Sequence, residues 1–360
     1  MVPDPELVSV VLAVRDGECT IDRTLRSARA QTHTNMELIV VDDGSTDATA
    51  TIVQRHVEQD ARVRLVQIPP TGVSGARNAG IAQAAGEYLA LLDADDLWHP
   101  DKTARQLARF RAGAGELAAV WSFSASIDGD DRIVGELLPF DRETMARTDG
   151  WVLLPMVYRY FPGGSAVMFR TSSMVESGCY DPGHPVSEDL AVMLRVAERG
   201  QIGVVADLLV GYRQVGGSLS SVPERNLRAQ LPMLRELRGR VPWVPKRVLR
   251  WSKAGRYVQA ASGAMRSGHR LRGVGYGIAA VVRDPAVVLH PHALPRAFGF
   301  LARGRQPSHG EGWLFPDDLD VFVKSRPPEG IGYRWWASVE RRRWRWMQRA
   351  ELRGRAAGAK

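Results

Sequence analysis

The stretch GEYLALLDADD, residues 86–96, decides the fold that this chain adopts. Its apolar part, Tyr88–Leu92, has the length of a strand buried inside a parallel sheet. Asp93, Asp95 and Asp96 follow directly and therefore lie at the carboxyl end of that strand, where open α/β sheets bind ligands. Because neighbouring carboxylates repel one another, the cluster favours a divalent cation with oxygen ligands, either Mn²⁺ or Mg²⁺. A cation at this place can hold a diphosphate, so the stretch predicts nucleotide chemistry.

Strands and helices alternate along the first hundred residues, which predicts a doubly wound, mostly parallel sheet of the α/β class. Apolar runs predict strands at 8–14, 36–41, 63–68 and 88–92, and apolar residues at helical spacing predict helices at 21–31, 47–59 and 75–85. After residue 117 the pattern is mixed, with strands expected at 118–124, 166–170 and 204–212 and a helix at 188–199.

The C-terminal part of the chain differs in composition from the rest. Beyond residue 223 it is helical with proline breaks, and it ends in a helix rich in Arg and Trp, predicted at 334–355. Residues 241–360 hold 23 Lys and Arg against 8 Asp and Glu, a net of +15, which leaves −7 for residues 1–240 out of the total of +8. We therefore expect an α/β domain over 1–222 and a helical, basic extension over 223–360, with different partners.

Cysteine content and hydropathy limit the class of protein. Cys19 and Cys179 are too few for a disulfide framework, which is typical of a reducing cytosol. No uncharged apolar stretch reaches the roughly 18 residues that a membrane-spanning helix needs. The first residues also lack the basic start of a signal peptide. We therefore expect a cytoplasmic protein.

Three further segments carry side chains suited to a nucleotide site, and each also has a purely structural interpretation. Asp42 and Asp43 end a strand and suit a nucleobase or ribose, although Asp also favours turns and helix caps. Arg77 follows a Gly-rich turn into a helix and suits a phosphate, although it also fits an ordinary surface position. Glu188 and Asp189 begin a helix, where Asp189 suits a general base, although acids after a capping serine are common in a first turn.

Together these segments resemble glycosyltransferase family 2. Five motifs carry the resemblance in order and spacing, and a closing segment extends it, at 8–16, 40–47, 72–80, 86–96, 178–189 and 211–220. The resemblance covers roughly residues 7–222. It implies a GT-A fold, which is the nucleotide-diphospho-sugar transferase type, and an inverting, metal-dependent transfer of a sugar to a hydroxyl acceptor.

The resemblance also implies roles for individual residues. Asp189 is expected to be the general base, and Asp95 is expected to bind the divalent cation. The residues expected at the nucleotide are Ala13, Arg15, Asp42, Asp43, Arg77 and Asp93. The residues expected to have a secondary role are Asp96, Glu188, Tyr212 and Arg213.

The sequence departs from the family pattern in two places. The run Ala13–Asp16 stands where the first strand usually ends in Pro-x-Tyr-Asn, so contacts near the base are expected to differ. Processive synthases of this group carry a Gln-x-x-Arg-Trp motif, and the nearest text, Arg247–Trp251, lacks the glutamine. This difference favours transfer of one or few sugars over polymerisation.

The expected donor is a nucleotide-diphospho-sugar, with a UDP-sugar first, and the expected acceptor is a glycan or a lipid-linked precursor. The basic, Trp-rich tail has three interpretations. It suits peripheral contact with the inner face of the cell membrane, and it equally suits a helical core with solvated arginines. Nucleic-acid binding ranks third and is not expected, because the first 240 residues are acidic.

Two other functions fit parts of the sequence. A non-catalytic sugar-nucleotide-binding or scaffold protein with a decayed site is the main alternative, and the presence of Asp93, Asp95 and Asp189 favours the enzyme. A sugar-phosphate nucleotidyltransferase would need a Gly-rich, Arg-containing loop after the first strand, and Arg15–Glu18 does not resemble one.

Overall fold

Nine strands form one sheet within the residues that the computed structural model describes, namely 4–113, 115–137, 149–159, 163–184, 186–214, 223–289, 314–319 and 331–358. The strands are β1 Asp4–Val14, β2 Met36–Asp42, β3 Val63–Gln67, β4 Gly86–Leu91, β5 Leu97–Trp98, β6 Leu117–Ile127, β7 Ile133–Leu137, β8 Val167–Arg170 and β9 Gln201–Arg213. Their spatial order is β3-β2-β1-β4-β8-β6-β9-β5, with β7 paired to β6.

The sheet is mostly parallel, which confirms the predicted fold class. Strands β1, β2, β3 and β4 pair in parallel, and β9 pairs in parallel with β6. Strand β8 lies antiparallel between β4 and β6. The carboxyl ends of β1, β2 and β4 therefore lie side by side at one edge, which is where the sequence places its acidic motifs.

The helices are α1 Ile21–Arg29, α2 Thr49–Gln59, α3 Gly72–Ile81, α4 Lys102–Ala112, α5 Leu153–Tyr158, α6 Thr171–Glu176, α7 Glu188–Arg199, α8 Pro223–Arg240, α9 Lys246–Arg266, α10 Arg270–Arg283 and α11 Ile331–Gly358. Side chains alternate between the two faces of each strand. Val10 and Leu12 thus share one core with Leu25 of α1 and Phe110 of α4, whereas Val11 shares the other with Ile81 of α3.

The second of these cores continues into the C-terminal extension. Leu153 of α5 and Leu194 of α7 belong to the same buried cluster as Leu237, Trp251 and Met347. The extension therefore packs directly onto the elements that follow the predicted site. The expected division at residue 222 stays a prediction, since residues 215–222 lie outside the described part of the chain.

Two side chains of α11 form hydrogen bonds with backbone groups at the ends of two other helices. The fully buried Glu351 accepts hydrogen bonds from the backbone N–H groups of Leu153 and Leu154, both at 3.0 Å, at the start of α5. Arg355 donates to the backbone oxygens of Ala197 at 2.6 Å and Glu198 at 2.9 Å, at the end of α7. Free N–H groups at helix starts and free carbonyls at helix ends are thereby paired, and the charges have the signs that the helix dipoles favour.

Of the three interpretations of the tail, the helical core is the one seen for its described tryptophans. Trp344 is buried, and the Trp346 ring lies 5.7 Å from the Trp251 ring. Arg343 is also buried, where it pairs with Asp284 at 2.8 Å. The side chains of residues 331–337, including two further tryptophans, lie outside the description. No helix within the described ranges combines the length and hydrophobicity needed to cross a bilayer.

We expect Glu351→Ala to lower the free energy of unfolding by about 2 kcal/mol, because it leaves two buried N–H groups without acceptors. Urea denaturation reads out the change through the transition midpoint. The matched control is Glu176→Ala, an exposed glutamate on α6, which should stay within about 0.5 kcal/mol of the parent. Equal effects of the two substitutions would contradict the capping role of Glu351.

Candidate active site

The predicted site residues converge at the carboxyl edge of the parallel strands. Val14 of β1 is in register with Asp42 of β2, and Val11 of β1 is in register with Leu91 of β4. The carboxylates that follow β4 therefore lie beside those that end β2. The edge is flanked by α3, which carries Arg77 in its middle, and by the start of α7, which carries Asp189.

Asp42 and Asp43 are both buried at the end of β2, but they have different partners. Asp42 accepts hydrogen bonds from the Ser45 backbone N–H at 2.9 Å and from Gln67 Nε2 at 3.4 Å. Asp43 accepts from the backbone N–H groups of Thr71 at 2.6 Å and Gly72 at 2.9 Å. Asp43 therefore anchors the start of α3, which explains why this helix begins at Gly72, three residues before its predicted start.

Arg77 makes the central contacts of the site, because its side chain bonds to three carboxylates. Its buried guanidinium donates from Nη2 to Asp93 Oδ1 at 2.6 Å, and from Nη1 to Asp189 Oδ1 at 2.9 Å and Glu188 Oε1 at 3.0 Å. The sequence prediction was that Arg77 pairs with a phosphate. In the structure its two terminal nitrogens instead bond to carboxylates that are far apart in the chain. Its place among the nucleotide contacts stays a prediction.

Tyr180 contacts both Arg77 and Asp189, and it was not identified from the sequence. Its hydroxyl donates to Asp189 Oδ1 at 2.9 Å, and its ring lies under the Arg77 guanidinium, 4.9 Å from centroid to Cζ. Asn78, the residue after Arg77, bonds to both backbone groups of Tyr180, at 2.7 Å and 2.9 Å. The neighbouring residues Arg77 and Asn78 were the sequence signal that could have pointed to Tyr180. Arg77 lies over the ring of Tyr180, and Asn78 bonds to its backbone.

The capping interpretation of the Glu188–Asp189 pair does not match the structure. Ser187 makes no side-chain cap on α7, and its hydroxyl instead accepts a hydrogen bond from Gln230 Nε2 at 2.8 Å. Burial raises the pKa of Asp189, against the opposing effect of Arg77, and the Asp93 charge adds to the increase. Burial and the Asp189 charge likewise raise the pKa of Glu188. A carboxylate with a raised pKa binds protons more strongly, which suits a general base.

Asp95 has the environment expected of a cation ligand. Burial raises its pKa to about 6, and the charge of Asp93 contributes to the increase. Its backbone oxygen accepts a hydrogen bond from Arg213 Nε at 2.7 Å, which fixes the loop. A positive ion beside the two carboxylates would relieve their repulsion, so the donor chemistry fits a hard divalent cation.

The protein supplies only part of such a cation site. Among the described residues, no group of three or more His, Cys, Asp or Glu side chains is arranged to hold a metal ion. Asp93 and Asp95 are two neighbouring carboxylates of the acidic loop that could bind a cation. Oxygens of a bound diphosphate would have to complete the coordination, as is usual for Mg²⁺ at phosphate sites.

Asp96 and Arg213 hold the acidic loop in place. The buried Asp96 accepts hydrogen bonds from the Ser165 hydroxyl at 2.6 Å and from the Arg213 backbone N–H at 3.0 Å. Burial and the two neighbouring carboxylates raise its pKa well above the ordinary value. Arg213 is also buried and donates to the backbone oxygens of Asp95 and Asp128. Both residues act on the loop rather than facing an open space.

The remaining predicted residues lie at the margin of the site. Arg15 is exposed and lies 3.8 Å from Asp16, and Ala13 is half-buried near the end of β1. Tyr212 is half-buried on β9, in register with Ser126 of β6. Their roles stay predictions.

Gly164 lies beside both Asp93 and Asp189, and it was not identified from the sequence. It has a positive φ of +56°, which favours glycine. A methyl group on its Cα would lie 2.8 Å from Asp93 Oδ2 and 3.4 Å from Asp189 Oδ2. Asp93 and Asp189 thus use Oδ1 to bind Arg77, and both turn Oδ2 towards the backbone of Gly164.

Known proteins match this chain over the segment that carries most of these residues. The model of the family described as glycosyl transferase family 2 matches residues 9–173. This segment is a glycosyltransferase family 2 domain. The match begins within β1, contains β2 to β4, the Asp42–Asp43 pair, Arg77 and the acidic loop, and ends before Glu188 and Asp189.

Curated relatives of the family 2 domain include biosynthetic proteins of bacterial polysaccharides. The succinoglycan biosynthesis protein ExoO of Rhizobium meliloti is 40% identical over 129 residues, which are 36% of this chain and 36% of the relative. The WfaP glucosyltransferase of Escherichia coli is 39% identical over 103 residues, covering 28% of this chain and 40% of the relative. The chain spans 41%, 40% and 36% of the first three curated relatives.

A solved structure extends the likeness in fold beyond the family 2 domain. Residues 1–349 of S. aureus TarS, in complex with UDP-GlcNAc, align with a TM-score of 0.58 and 17% identity. The alignment covers 81% of this chain and 88% of that one. At this identity the likeness concerns the fold, and it confirms the GT-A type of architecture.

Proposed function

We propose that this protein transfers a sugar from a nucleotide-diphospho-sugar to a hydroxyl acceptor, with inversion at the anomeric carbon. One observation carries the proposal. Asp93 and Asp189 come from opposite sides of the site, share Arg77 through Oδ1, and turn Oδ2 towards the same glycine. A donor held on the Asp93 side and an acceptor hydroxyl held at Asp189 would meet at this position.

The roles of the residues follow from this arrangement. Asp189 Oδ2 takes the proton of the acceptor hydroxyl while the hydroxyl oxygen forms its bond to the anomeric carbon. The bond to the diphosphate oxygen breaks on the opposite face, and the electron pair leaves with the diphosphate. Arg77 and Tyr180 keep Asp189 Oδ1 occupied and so hold the base in one orientation.

A divalent cation, Mn²⁺ or Mg²⁺, is proposed at Asp93 and Asp95, where it would neutralise negative charge on the leaving diphosphate. Asp42 and Asp43 are proposed at the nucleoside end of the donor, since they lie beside this loop at the end of β2. The donor is proposed to be a UDP-sugar, because the relative WfaP is named as a glucosyltransferase that uses UDP-Glc.

The acceptor is proposed to be a glycan or lipid-linked precursor of a bacterial polysaccharide. Support comes from the names of relatives, which specify succinoglycan biosynthesis, teichuronic acid biosynthesis and a diphosphoundecaprenol-linked acceptor. A thermal-shift panel of nucleotide sugars, with and without Mn²⁺, identifies the donor, since a ligand that binds only the folded state raises its stability.

We expect Asp189→Asn to lower transfer about 10²- to 10⁴-fold, because the amide cannot take up the acceptor proton. Donor binding, measured by thermal shift, should be retained. Asp207→Asn is the matched control, since Asp207 is an exposed carboxylate on β9 with a surface ion pair to Arg105. Loss of donor binding together with transfer would mean that Asp189 has a structural role, and unchanged transfer would exclude it as the base.

We expect Asp95→Asn to weaken Mn²⁺ binding by at least about tenfold, since it removes one of two carboxylate ligands. Electron paramagnetic resonance of free Mn²⁺ measures this binding in the presence of UDP, independently of turnover. The same Asp207→Asn variant serves as the control. An unchanged Mn²⁺ affinity would contradict the proposed cation site.

A further inference from the structure

Helix α10 turns an apolar stripe to solvent. The exposed fractions of its side chains are 91% for Leu271, 42% for Val274, 61% for Ile278 and 74% for Val282. Their spacing of three, four and four residues places them on one face of the helix. A helix of a water-soluble domain normally buries such a stripe, so an exposed one marks an interaction surface.

The opposite face of α10 fixes this orientation. Gly273 and Ala280 are buried, and a methyl group on the Gly273 Cα would lie 2.7 Å from the Met265 side chain of α9. Arg283 at the end of α10 stacks on the Tyr257 ring of α9, 4.3 Å from its centroid. The face with Gly273 and Ala280 is therefore packed tightly on α9. The helix cannot rotate to bury the larger apolar side chains there, because they would not fit.

The charges around the stripe have one sign. Arg270 and Arg272 flank Leu271 in the first turn of α10, and Arg266 ends α9 close by; all three are exposed. No carboxylate of the described residues forms an ion pair with any of them. The surrounding sequence, residues 237–283, contains eleven Lys and Arg and no Asp or Glu.

We infer that α10 is the surface through which this protein lies on an anionic phospholipid bilayer. An apolar stripe bordered by arginines is the pattern of a helix that rests in the plane of the lipid headgroups. A second copy of the chain is the poorer occupant, because a symmetric pair would bring these unpaired arginines together. This surface is not the Arg- and Trp-rich tail for which the sequence suggested membrane contact. The described tryptophans of that tail belong to the core. It does not depend on the proposed glycosyl transfer.

The test is binding of the full-length protein to vesicles, measured by co-sedimentation without donor or acceptor. We expect binding to phosphatidylglycerol–phosphatidylcholine vesicles, weaker binding at high salt, and little binding to pure phosphatidylcholine. Leu271→Ser combined with Ile278→Ser should weaken partitioning by about tenfold or more, because two apolar side chains no longer enter the bilayer. Val175→Ser is the matched control, since Val175 is 56% exposed on α6, and it should bind like the parent.

The charge contribution is tested separately. Arg270→Gln combined with Arg272→Gln should weaken binding to the anionic vesicles by about tenfold. The control, Arg26→Gln combined with Arg55→Gln, makes the same change in net charge at exposed positions of α1 and α2 and should bind like the parent. Circular dichroism melts confirm that each variant folds, and the single Leu271→Ser variant replaces the double one if the latter does not.

Three outcomes would overturn the inference. They are an absence of binding to anionic vesicles, equal binding to neutral ones, and binding that the α10 variants leave unchanged. Sedimentation equilibrium adds one more distinction. A self-association that is lost in the Leu271→Ser, Ile278→Ser variant, without vesicle binding by the parent, would assign the stripe to a second copy of the chain and equally overturn the lipid assignment.

Discussion

The buried guanidinium of Arg77 is the interaction on which the rest of the site depends. It joins Asp93, at the end of β4, to Glu188 and Asp189, at the start of α7. Burying a charged group costs several kcal/mol unless its partners are well placed. One positive charge faces three carboxylates here, so the cluster retains excess negative charge. That excess suits a site that receives a cation and a proton.

The other elements can be understood as supports of this contact. Asp43 anchors the start of α3 and so places Arg77, while Asp96 and Arg213 fix the loop that carries Asp93 and Asp95. At the far end of α7, Arg355 of the C-terminal extension pairs the last carbonyls of the helix. The extension therefore contributes to the position of the proposed base, although it lies outside the segment matched by the family model.

The sequence predicted the elements that have strong local signals. Helix α7 was predicted to the residue, because acids open it and Gly200 follows it, and β2 differs by one residue because its apolar run is short and continuous. The partners of Arg77 were not predicted, since two of them are more than a hundred residues away in the chain. Gly164 was not predicted for the same reason. Only the folded structure shows that a side chain at this position would lie against Asp93 and Asp189.

A double-mutant cycle between Arg77 and Asp189 tests the central claim most directly. Arg77→Met alone should cost about 3–5 kcal/mol of unfolding free energy, since it leaves buried carboxylates unpaired. Combined with Asp189→Asn, it should show a coupling energy of about 2 kcal/mol. The surface pair Arg105 and Asp207, replaced in the same way, should couple by less than about 1 kcal/mol. Additivity at Arg77 and Asp189 within about 0.5 kcal/mol would contradict the account.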